Sequence, residues 1–337
     1  MSKSQIIIRV DVSHDVGTGH IVRIVELIKL LKKKFKITII SKYKDIFSWK
    51  IGNCKILIYS DNLMHKFYEL NQNLIFLFDL DIKNASKLEK KIISKIKIKH
   101  KTIFFDDKIN KPLKSQINII PYQLKYKKFN RYSNLLYGPT FSIFKDEIIK
   151  ASQKEYKKKN FIIVCMGGSD PYNLTLRLMN KIKNIKLTKN FKIKVIVGKL
   201  YQRESLYKLS RLLKNNKKIT IYQNPKNIYK IFAESKLAII NNGNLKYEMC
   251  ALKVPFILIS NDNHTNKFSK FFAKNFKCYF NRRNNSQIRS VEKYINVALK
   301  NEKKLNSYTR NNFTKINLYS KYEIAKEIKN LEKNSYV

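Results

Sequence analysis

Short apolar runs alternate with longer amphipathic stretches along the whole chain. The first run is followed by a loop and then by apolar residues that recur at helical spacing from Ile21 to Leu31. Such alternation is typical of a mostly parallel sheet covered by helices. The runs predict strands at 5–12, 36–41, 54–59, 74–79, 101–105 and 117–120, and then at 161–166, 192–197, 219–222, 236–240 and 255–260.

A charged stretch over 145–160 interrupts this pattern, and the second half then restarts with a strand and a glycine loop, as the first half does. We interpret it as a helix plus a linker at a domain boundary. The sequence therefore predicts an α/β protein of two Rossmann-like domains with a cleft between them, into which the carboxyl ends of the strands face. We expect the domains at 1–150 and 158–320, a helix from Ser307 to about Glu332, and a C-terminal helix and tail at 321–337.

The loop after the first strand carries Gly17, Thr18 and Gly19, and His20 comes next, in the first turn of the predicted helix. The free N–H groups and partial positive charge of a helix N-terminus favour an anionic ligand. The same partial charge disfavours an imidazolium, which predicts a neutral His20 that can accept a proton. The alternative is a plain glycine turn with a histidine at the start of the helix.

A second glycine loop, Gly167-Gly168-Ser169, follows the first strand of the second half. Its consecutive amides and the Ser169 hydroxyl suit a diphosphate. We expect Pro171 in the first turn of the next helix and Asp170 as its N-cap. A plain strand–helix turn is the alternative.

Other polar clusters also follow predicted strands. Asn242 and Gly243 lie in a tight turn, and Glu248 comes about one helical turn later, where a carboxylate can accept both hydroxyls of a ribose; a solvated glutamate is the alternative. Asp106 and Asp107 end another strand, where one of them would orient His20 or bind a sugar hydroxyl. Asp262 to Asn266 follows the last strand, within reach of a substrate or simply as an N-cap loop.

Composition limits the classes of partner. Lys and Arg number 70 against 24 Asp and Glu, a net charge of +46. The lysines are scattered through nearly every segment, whereas a nucleic-acid reader concentrates arginine and aromatic side chains on one face, so we expect no specific nucleic-acid partner. The basic surface can still attract anionic nucleotides, or an anionic membrane in a weak, salt-dependent contact.

The four cysteines are far apart, without a CxxC pair, and His264 has no His or Cys at a ligating spacing. This pattern predicts buried thiols in a reducing compartment and no metal site. We find neither a signal peptide nor the run of about 20 apolar residues that spans a bilayer, and therefore expect a cytoplasmic protein. The oligomeric state is left open.

The order of these motifs resembles the nucleotide-sugar-processing branch of the GT-B superfold over nearly the whole chain. The resemblance is to the PseG family, the UDP-2,4-diacetamido-2,4,6-trideoxy-β-L-altropyranose hydrolases of pseudaminic acid biosynthesis, and more loosely to MurG glycosyltransferases. It includes Asp11 to His20, Phe104 to Asp107, Tyr137 to Pro139, Cys165 to Asp170, Asn173 to Thr175 and the Glu248 helix.

The resemblance implies that His20 activates the water that displaces UDP, that Gly168 and Ser169 hold the diphosphate, that Glu248 holds the ribose and that Asn263 contacts the sugar. The full expected set is His20 as the catalytic residue; Gly19, Gly167, Gly168, Ser169, Asn242, Gly243 and Glu248 for UDP; and Asp11, Asp107 and Asn263 for the sugar. No cofactor or metal is expected. The family carries a D-H-Y-type motif where this chain has Asp79-Leu80-Asp81, which leaves the sugar and the reaction open.

Three hypotheses follow. The first is a hydrolase that releases UDP from a UDP-2,4-diacetamido-2,4,6-trideoxyhexose with inversion at the anomeric carbon. The second is a GT-B glycosyltransferase, in which His20 deprotonates a sugar or lipid-linked acceptor instead of water. The third is a nucleic-acid-binding protein, which predicts an affinity that falls steeply with salt and no UDP binding.

Overall fold

The computed structural model describes residues 4–70, 74–80, 82, 85–105, 115–122, 134–185, 191–260, 266–281 and 289–333. The chain divides into two compact units. Unit 1 comprises Met1–Ser13, His20–Phe144 and Asn317–Val337, and unit 2 comprises His14–Gly19 and Lys145–Ile316. Each unit is a parallel sheet with helices, which confirms the predicted α/β class.

Unit 1 contains a seven-stranded parallel sheet in the order β3-β2-β1-β4-β5-β6-β7. Its elements are β1 (Gln5–Val10), α1 (Gly19–Leu31), β2 (Lys36–Ser41), β3 (Lys55–Ile58), α2 (Asp61–Glu69), β4 (Ile75–Asp79), α3 (Lys87–Lys99), β5 (Lys101–Phe105), β6 (Ile117–Ile120) and β7 (Leu135–Tyr137). The central strands β1 and β4 are buried along nearly their whole length, and both of their faces are apolar except at the buried Arg9 and Asp79. Stacked phenylalanines, Phe78 and Phe104, lie in this core with ring centroids 4.8 Å apart.

Unit 2 contains a six-stranded parallel sheet in the order β10-β9-β8-β11-β12-β13. Its elements are α4 (Asp146–Ser152), β8 (Lys159–Cys165), α5 (Leu174–Ile182), β9 (Lys192–Val197), α6 (Arg203–Leu213), β10 (Ile219–Gln223), α7 (Ile228–Ala233), β11 (Ser235–Asn241), α8 (Leu245–Ala251), β12 (Phe256–Ile259), α9 (Asn266–Asn275), β13 (Tyr279–Asn281), α10 (Arg289–Lys300) and α11 (Glu302–Phe313). The strand order reverses between β8 and β11, the kind of position at which open α/β sheets bind ligands.

The last helix, α12 (Ser320–Lys333), belongs to unit 1. The Lys321 ammonium lies 2.7 Å from the Glu26 carboxylate on α1, and both side chains are buried. The Ser320 hydroxyl donates to the Ser142 carbonyl, also in unit 1. The end of the chain is therefore tied to unit 1 by a buried ion pair and a buried hydrogen bond.

Two local predictions are wrong. The single helix expected from Ser307 is in fact α11 and α12, separated at 314–319, because the Asn317 side chain accepts the backbone N–H of Tyr319 and favours a turn over a helix. Pro171 precedes α5, which begins only at Leu174. Every predicted strand is present within two residues of its expected ends, whereas the three-residue edge strands β7 and β13 were not predicted.

Candidate active site

His20 lies in the first turn of α1, in unit 1, and its Nδ1 is 2.5 Å from Oδ1 of Asp79. Asp79 is the last residue of β4, which pairs directly with β1. Arg23 Nη2, which only donates, also lies 3.1 Å from Nδ1. Because the Asp79 carboxylate only accepts hydrogen bonds and lies closer, we assign the imidazole proton to Nδ1, which donates to it. The tautomer then leaves Nε2 as an acceptor, the state required of a general base.

Asp79 is fully buried, and its carboxylate is bound by Arg23, which lies one turn after His20 on α1. Arg23 Nε donates to Oδ2 at 2.6 Å and Nη2 donates to Oδ1, a bidentate pair. Arg23 Nη1 also donates to the Tyr122 hydroxyl at 3.3 Å. Burial would raise the pKa of Asp79, but the charges and hydrogen bonds of Arg23 and His20 outweigh it and hold this pKa well below its usual range. The Asp79 carboxylate is therefore an anion held in a fixed position at Nδ1 of His20.

Asp79 was not predicted as the partner of His20. Asp106 or Asp107 was expected in that role, and Asp79 was noted only as the start of a segment that departs from the resembled family. Asp79 ends an apolar run, which indicates a polar side chain at the end of a strand but does not pair it with His20. Asp81, Asp106 and Asp107 lie outside the described residues.

Asp11 follows β1 in unit 1 and is partly buried. Its carboxylate accepts two hydrogen bonds from Arg9, one from the Ser41 hydroxyl at 3.4 Å and one from the backbone N–H of Lys42, which comes directly after β2. Asn263, the expected sugar contact in the second half of the chain, lies outside the described residues, as does His264.

In unit 2 the loop 14–19 packs on the second glycine loop. A Cβ added to Gly168 would lie 2.1 Å from the Thr18 hydroxyl, and one added to Gly198 would lie 2.4 Å from Gly168 Cα. His14 Nδ1 is 3.0 Å from the Leu200 carbonyl. Only glycine, which has no Cβ, permits these approaches, so the backbone at these positions directly contacts the neighbouring segment.

The other expected members of the glycine loops lie in the same part of unit 2. Gly19 accepts a hydrogen bond from Asn244 Nδ2 at 3.4 Å. Gly167 has a φ of +93°, which favours glycine, and Ser169 is buried after it. The Asp170 carboxylate accepts the N–H groups at the start of α5, but the N-cap position itself is occupied by Asn173.

Asn241, which is not among the site residues expected from the sequence, connects the loop after β8 to the loop after β11. Its Nδ2 donates to the Met166 carbonyl at 2.8 Å. Added Cβ atoms would lie 3.4 Å from its side chain at Gly167 and 3.2 Å from it at Gly243. The Oδ1 atoms of Asn241 and Asn242 are buried and have no partner among the described residues. The loops after β8 and β11 therefore pack together, and this group of residues includes Gly167, Asn242 and Gly243.

Glu248 lies in the first turn of α8 and is half-buried. No hydrogen bond or ion pair to its carboxylate is found in the described parts of the chain. Burial raises the pKa of Glu248 to about 7, against the lowering effect of the Lys145 charge. Its charge also acts on Cys165, the last residue of β8, and helps to raise the pKa of that thiol, for which burial is the larger cause. Glu248 is thus an open acceptor near the carboxyl end of β8.

Two features are absent from the described part of the chain. It contains no group of three or more His, Cys, Asp or Glu side chains placed to hold a metal ion. None of its helices combines the length and the apolar character that a membrane span requires.

Sequence comparison relates the chain to enzymes that process nucleotide sugars. Residues 162–328 match the model of the Glycosyltransferase family 28 C-terminal domain. The UDP-2,4-diacetamido-2,4,6-trideoxy-beta-L-altropyranose hydrolase of Campylobacter jejuni is 24% identical over 289 residues, which cover 80% of this chain and 96% of the hydrolase. The protein MJ1062 of Methanocaldococcus jannaschii is 27% identical over 304 residues, 82% of this chain. The match spans only 60% of the length of MJ1062.

Comparison with solved structures establishes the fold. The calicheamicin glycosyltransferase CalG4 superposes with a TM-score of 0.67 and 9% identity over 100% of both chains. MurG of Acinetobacter baumannii gives a TM-score of 0.66 and 10% identity, with 97% of this chain and 99% of MurG covered. The chain therefore has the GT-B glycosyltransferase fold.

Proposed function

We propose that the chain is a nucleotide-sugar hydrolase that releases UDP from a UDP-2,4-diacetamido-2,4,6-trideoxyhexose in nonulosonic acid biosynthesis. The observation that carries this proposal is the contact between His20 Nδ1 and the buried Asp79 carboxylate, which leaves Nε2 as the acceptor. The similarity to the Campylobacter hydrolase over nearly its full length supports the substrate class. The protein is expected to act in the cytoplasm.

In the proposed reaction His20 Nε2 takes a proton from water while the water oxygen bonds to the anomeric carbon. The bond from that carbon to the diphosphate oxygen breaks, and UDP leaves with the electron pair. A single displacement of this kind inverts the anomeric configuration. General base catalysis contributes about 10²–10⁴-fold when the geometry is right. The Asp79 anion stabilises the imidazolium that forms.

The leaving group also needs stabilisation, and the glycine loops of unit 2 have the right chemistry. The backbone amides at Gly168 and Ser169 would bind the diphosphate, with Gly19, Gly167, Asn242 and Gly243 shaping the site. The partial positive charge at the N-terminus of α1 favours the growing negative charge. The open Glu248 carboxylate would accept the ribose hydroxyls. Asp11, Asp107 and Asn263 are the proposed sugar contacts.

A glycosyltransferase is the second candidate, and the match of residues 162–328 to the family 28 domain favours it. The chemistry at His20 is the same, except that the proton comes from an acceptor hydroxyl. The two candidates differ in whether UDP is released when water is the only nucleophile.

The test is to measure UDP release from a panel of UDP-sugars in the absence of any acceptor. The panel contains UDP-N-acetylglucosamine and the diacetamido-trideoxy-altrose derivative. His20→Ala removes the base, and His65→Ala, a histidine on α2 whose side chain is 43% exposed, is the matched control. The hydrolase predicts turnover that His20→Ala abolishes and His65→Ala preserves. Normal turnover in His20→Ala would overturn the assignment.

A further inference from the structure

A second buried ionic network lies in unit 1, apart from the His20–Asp79 contact. Arg9, in the middle of the sheet on β1, is 1% exposed. Its Nη1 donates to Asp11 Oδ1 at 2.6 Å and its Nη2 to Asp11 Oδ2 at 2.9 Å, and Nη2 also contacts Glu89 Oε1 on α3 at 3.1 Å. The guanidinium therefore holds two carboxylates at once.

A second cation completes the network. Lys42, after β2, places its ammonium 2.5 Å from the other Glu89 oxygen. The Arg9 and Lys42 cations lie 4.6 and 5.0 Å from the ring centroid of Tyr59, which follows β3, so one aromatic ring contacts both. Two cations thus face the Asp11 and Glu89 carboxylates, and the Tyr59 hydroxyl also donates to Asp61 at the start of α2. Residues from three strand ends and two helices are fixed together.

Such a network costs free energy to bury. Removing charges from water is unfavourable, and apolar packing of similar volume is often as stable or more stable. The arrangement does, however, fix geometry. Arg9 is held by carboxylates on both sides, so its fork has little freedom to turn.

Asp11 is the member of the network that keeps an open acceptor. Its side chain is 16% exposed, against 1% for Arg9 and 3% for Glu89. Oδ1 already accepts from Arg9, from the backbone N–H of Lys42 and from the Ser41 hydroxyl, whereas among the described residues Oδ2 accepts from Arg9 alone. A carboxylate oxygen can accept two hydrogen bonds, so Oδ2 has room for one more.

We propose that Arg9, backed by Glu89, is a positioning residue that fixes the Asp11 carboxylate as the acceptor for a neutral hydrogen-bond donor of the sugar, a hydroxyl or an acetamido N–H. Arg9 and Lys42 already compensate the Asp11 and Glu89 carboxylates, so Asp11 needs no cationic ligand to offset its charge. This proposal rests on the proposed function, since it takes a nucleotide sugar as the substrate.

The test compares UDP-sugar turnover with UDP binding. Arg9→Lys keeps the charge but removes the two-pronged contact, and Arg211→Lys, on the exposed side of α6, is the matched control. A misplaced reactive geometry costs about 100-fold, so we expect kcat/KM to fall about 10–100-fold in Arg9→Lys. The dissociation constant for UDP alone should stay within about twofold, because UDP has no sugar donor for Asp11 to accept.

A double-mutant cycle and a crystal structure complete the test. Asp11→Asn should lose about as much as Arg9→Lys, and the double variant should lose little more, because both act through one contact. Glu89→Gln keeps the Arg9–Asp11 contact and should give a smaller loss, which supplies a second readout if Arg9→Lys does not fold. The crystal structure of Arg9→Lys should show a reoriented Asp11 carboxylate.

Failure of this proposal is distinct from failure of the proposed function. If the wild-type protein releases no UDP from any UDP-sugar, the proposed function fails, and the position of Asp11 in the Arg9→Lys crystal structure still decides the role of Arg9. The positioning role is overturned if folded Arg9→Lys keeps wild-type kcat/KM, if the losses of Arg9→Lys and Asp11→Asn add, or if UDP binding falls as much as turnover.

Discussion

Replacement of Glu248 by glutamine should make the protein more stable and a poorer nucleotide binder. The carboxylate is half-buried without a partner in the described part of the chain, and burial raises its pKa from 4.5 to about 7. The folded state therefore retains the proton between these two pH values while the unfolded state releases it. Stability must fall as the pH rises from 4.5 to 7, because the native state binds more protons over that interval.

The size of the effect follows from the same two values. At about 1.4 kcal/mol per pH unit, ionising Glu248 in place costs about 3 kcal/mol by pH 8. Glutamine has no charge to desolvate, so Glu248→Gln should be about 3 kcal/mol more stable at pH 8 and equal to wild type at pH 4.5. For a unit of this size that gain is about 6–12 °C in the melting temperature. Exposed Glu147→Gln on α4 is the matched control and should show neither effect.

The functional half is measured by calorimetry with UDP and with 2′-deoxy-UDP. A carboxylate that accepts ribose hydroxyls makes charge-assisted hydrogen bonds of about 1.5–3 kcal/mol, so Glu248→Gln should bind UDP about 10–100-fold more weakly and discriminate little between the two ligands. Wild-type affinity should rise with pH through 7, and that of Glu248→Gln should not. A variant that is no more stable at pH 8, or that binds UDP as wild type does, would refute the reasoning.

Three further changes test separate parts of the account. Asp79→Asn should lower kcat by about 10²–10⁴-fold with UDP affinity unchanged, because His20 loses the anion that fixes its tautomer; steady-state kinetics with normal kcat would contradict this. Gly168→Ala places a methyl group against Thr18 and should weaken UDP binding by about tenfold or more, as overpacking costs about 1–3 kcal/mol; calorimetry that shows wild-type affinity would speak against the close approach. Lys321→Met leaves the buried carboxylate opposite it less compensated and should destabilise the protein by about 3 kcal/mol in urea unfolding, whereas an unchanged midpoint would show that the pair does not hold α12.

Most of the strands could be predicted from the sequence because they are buried on both faces. A strand such as β4, fully buried along its length, appears as an uninterrupted apolar run. The edge strands β7 and β13 are only three residues long, which is too short for an apolar run to identify them as strands. At the break between α11 and α12 the Asn317 side chain accepts from the Tyr319 N–H and donates to Glu323, contacts that periodicity does not reveal.

The partner of His20 could not be found from local patterns. His20 and Asp79 are 59 positions apart, and they meet because β4 lies beside β1 in the sheet. Strand order follows from the packing of the whole unit, and apolar runs do not encode it. The same holds for Glu89 beside Arg9, 80 positions away. The glycine loops were visible because glycine is required where backbone segments touch, as at Gly168.

The most direct test of the central claim is to incubate the purified protein with UDP-2,4-diacetamido-2,4,6-trideoxy-β-L-altropyranose in ¹⁸O-labelled water without any acceptor. UDP release and the configuration of the free sugar are followed by NMR, and the position of the label by mass spectrometry. The account predicts prompt release, ¹⁸O in the free sugar and none in UDP, and an inverted anomeric centre. Binding of UDP without release, or ¹⁸O in the released UDP, would contradict it.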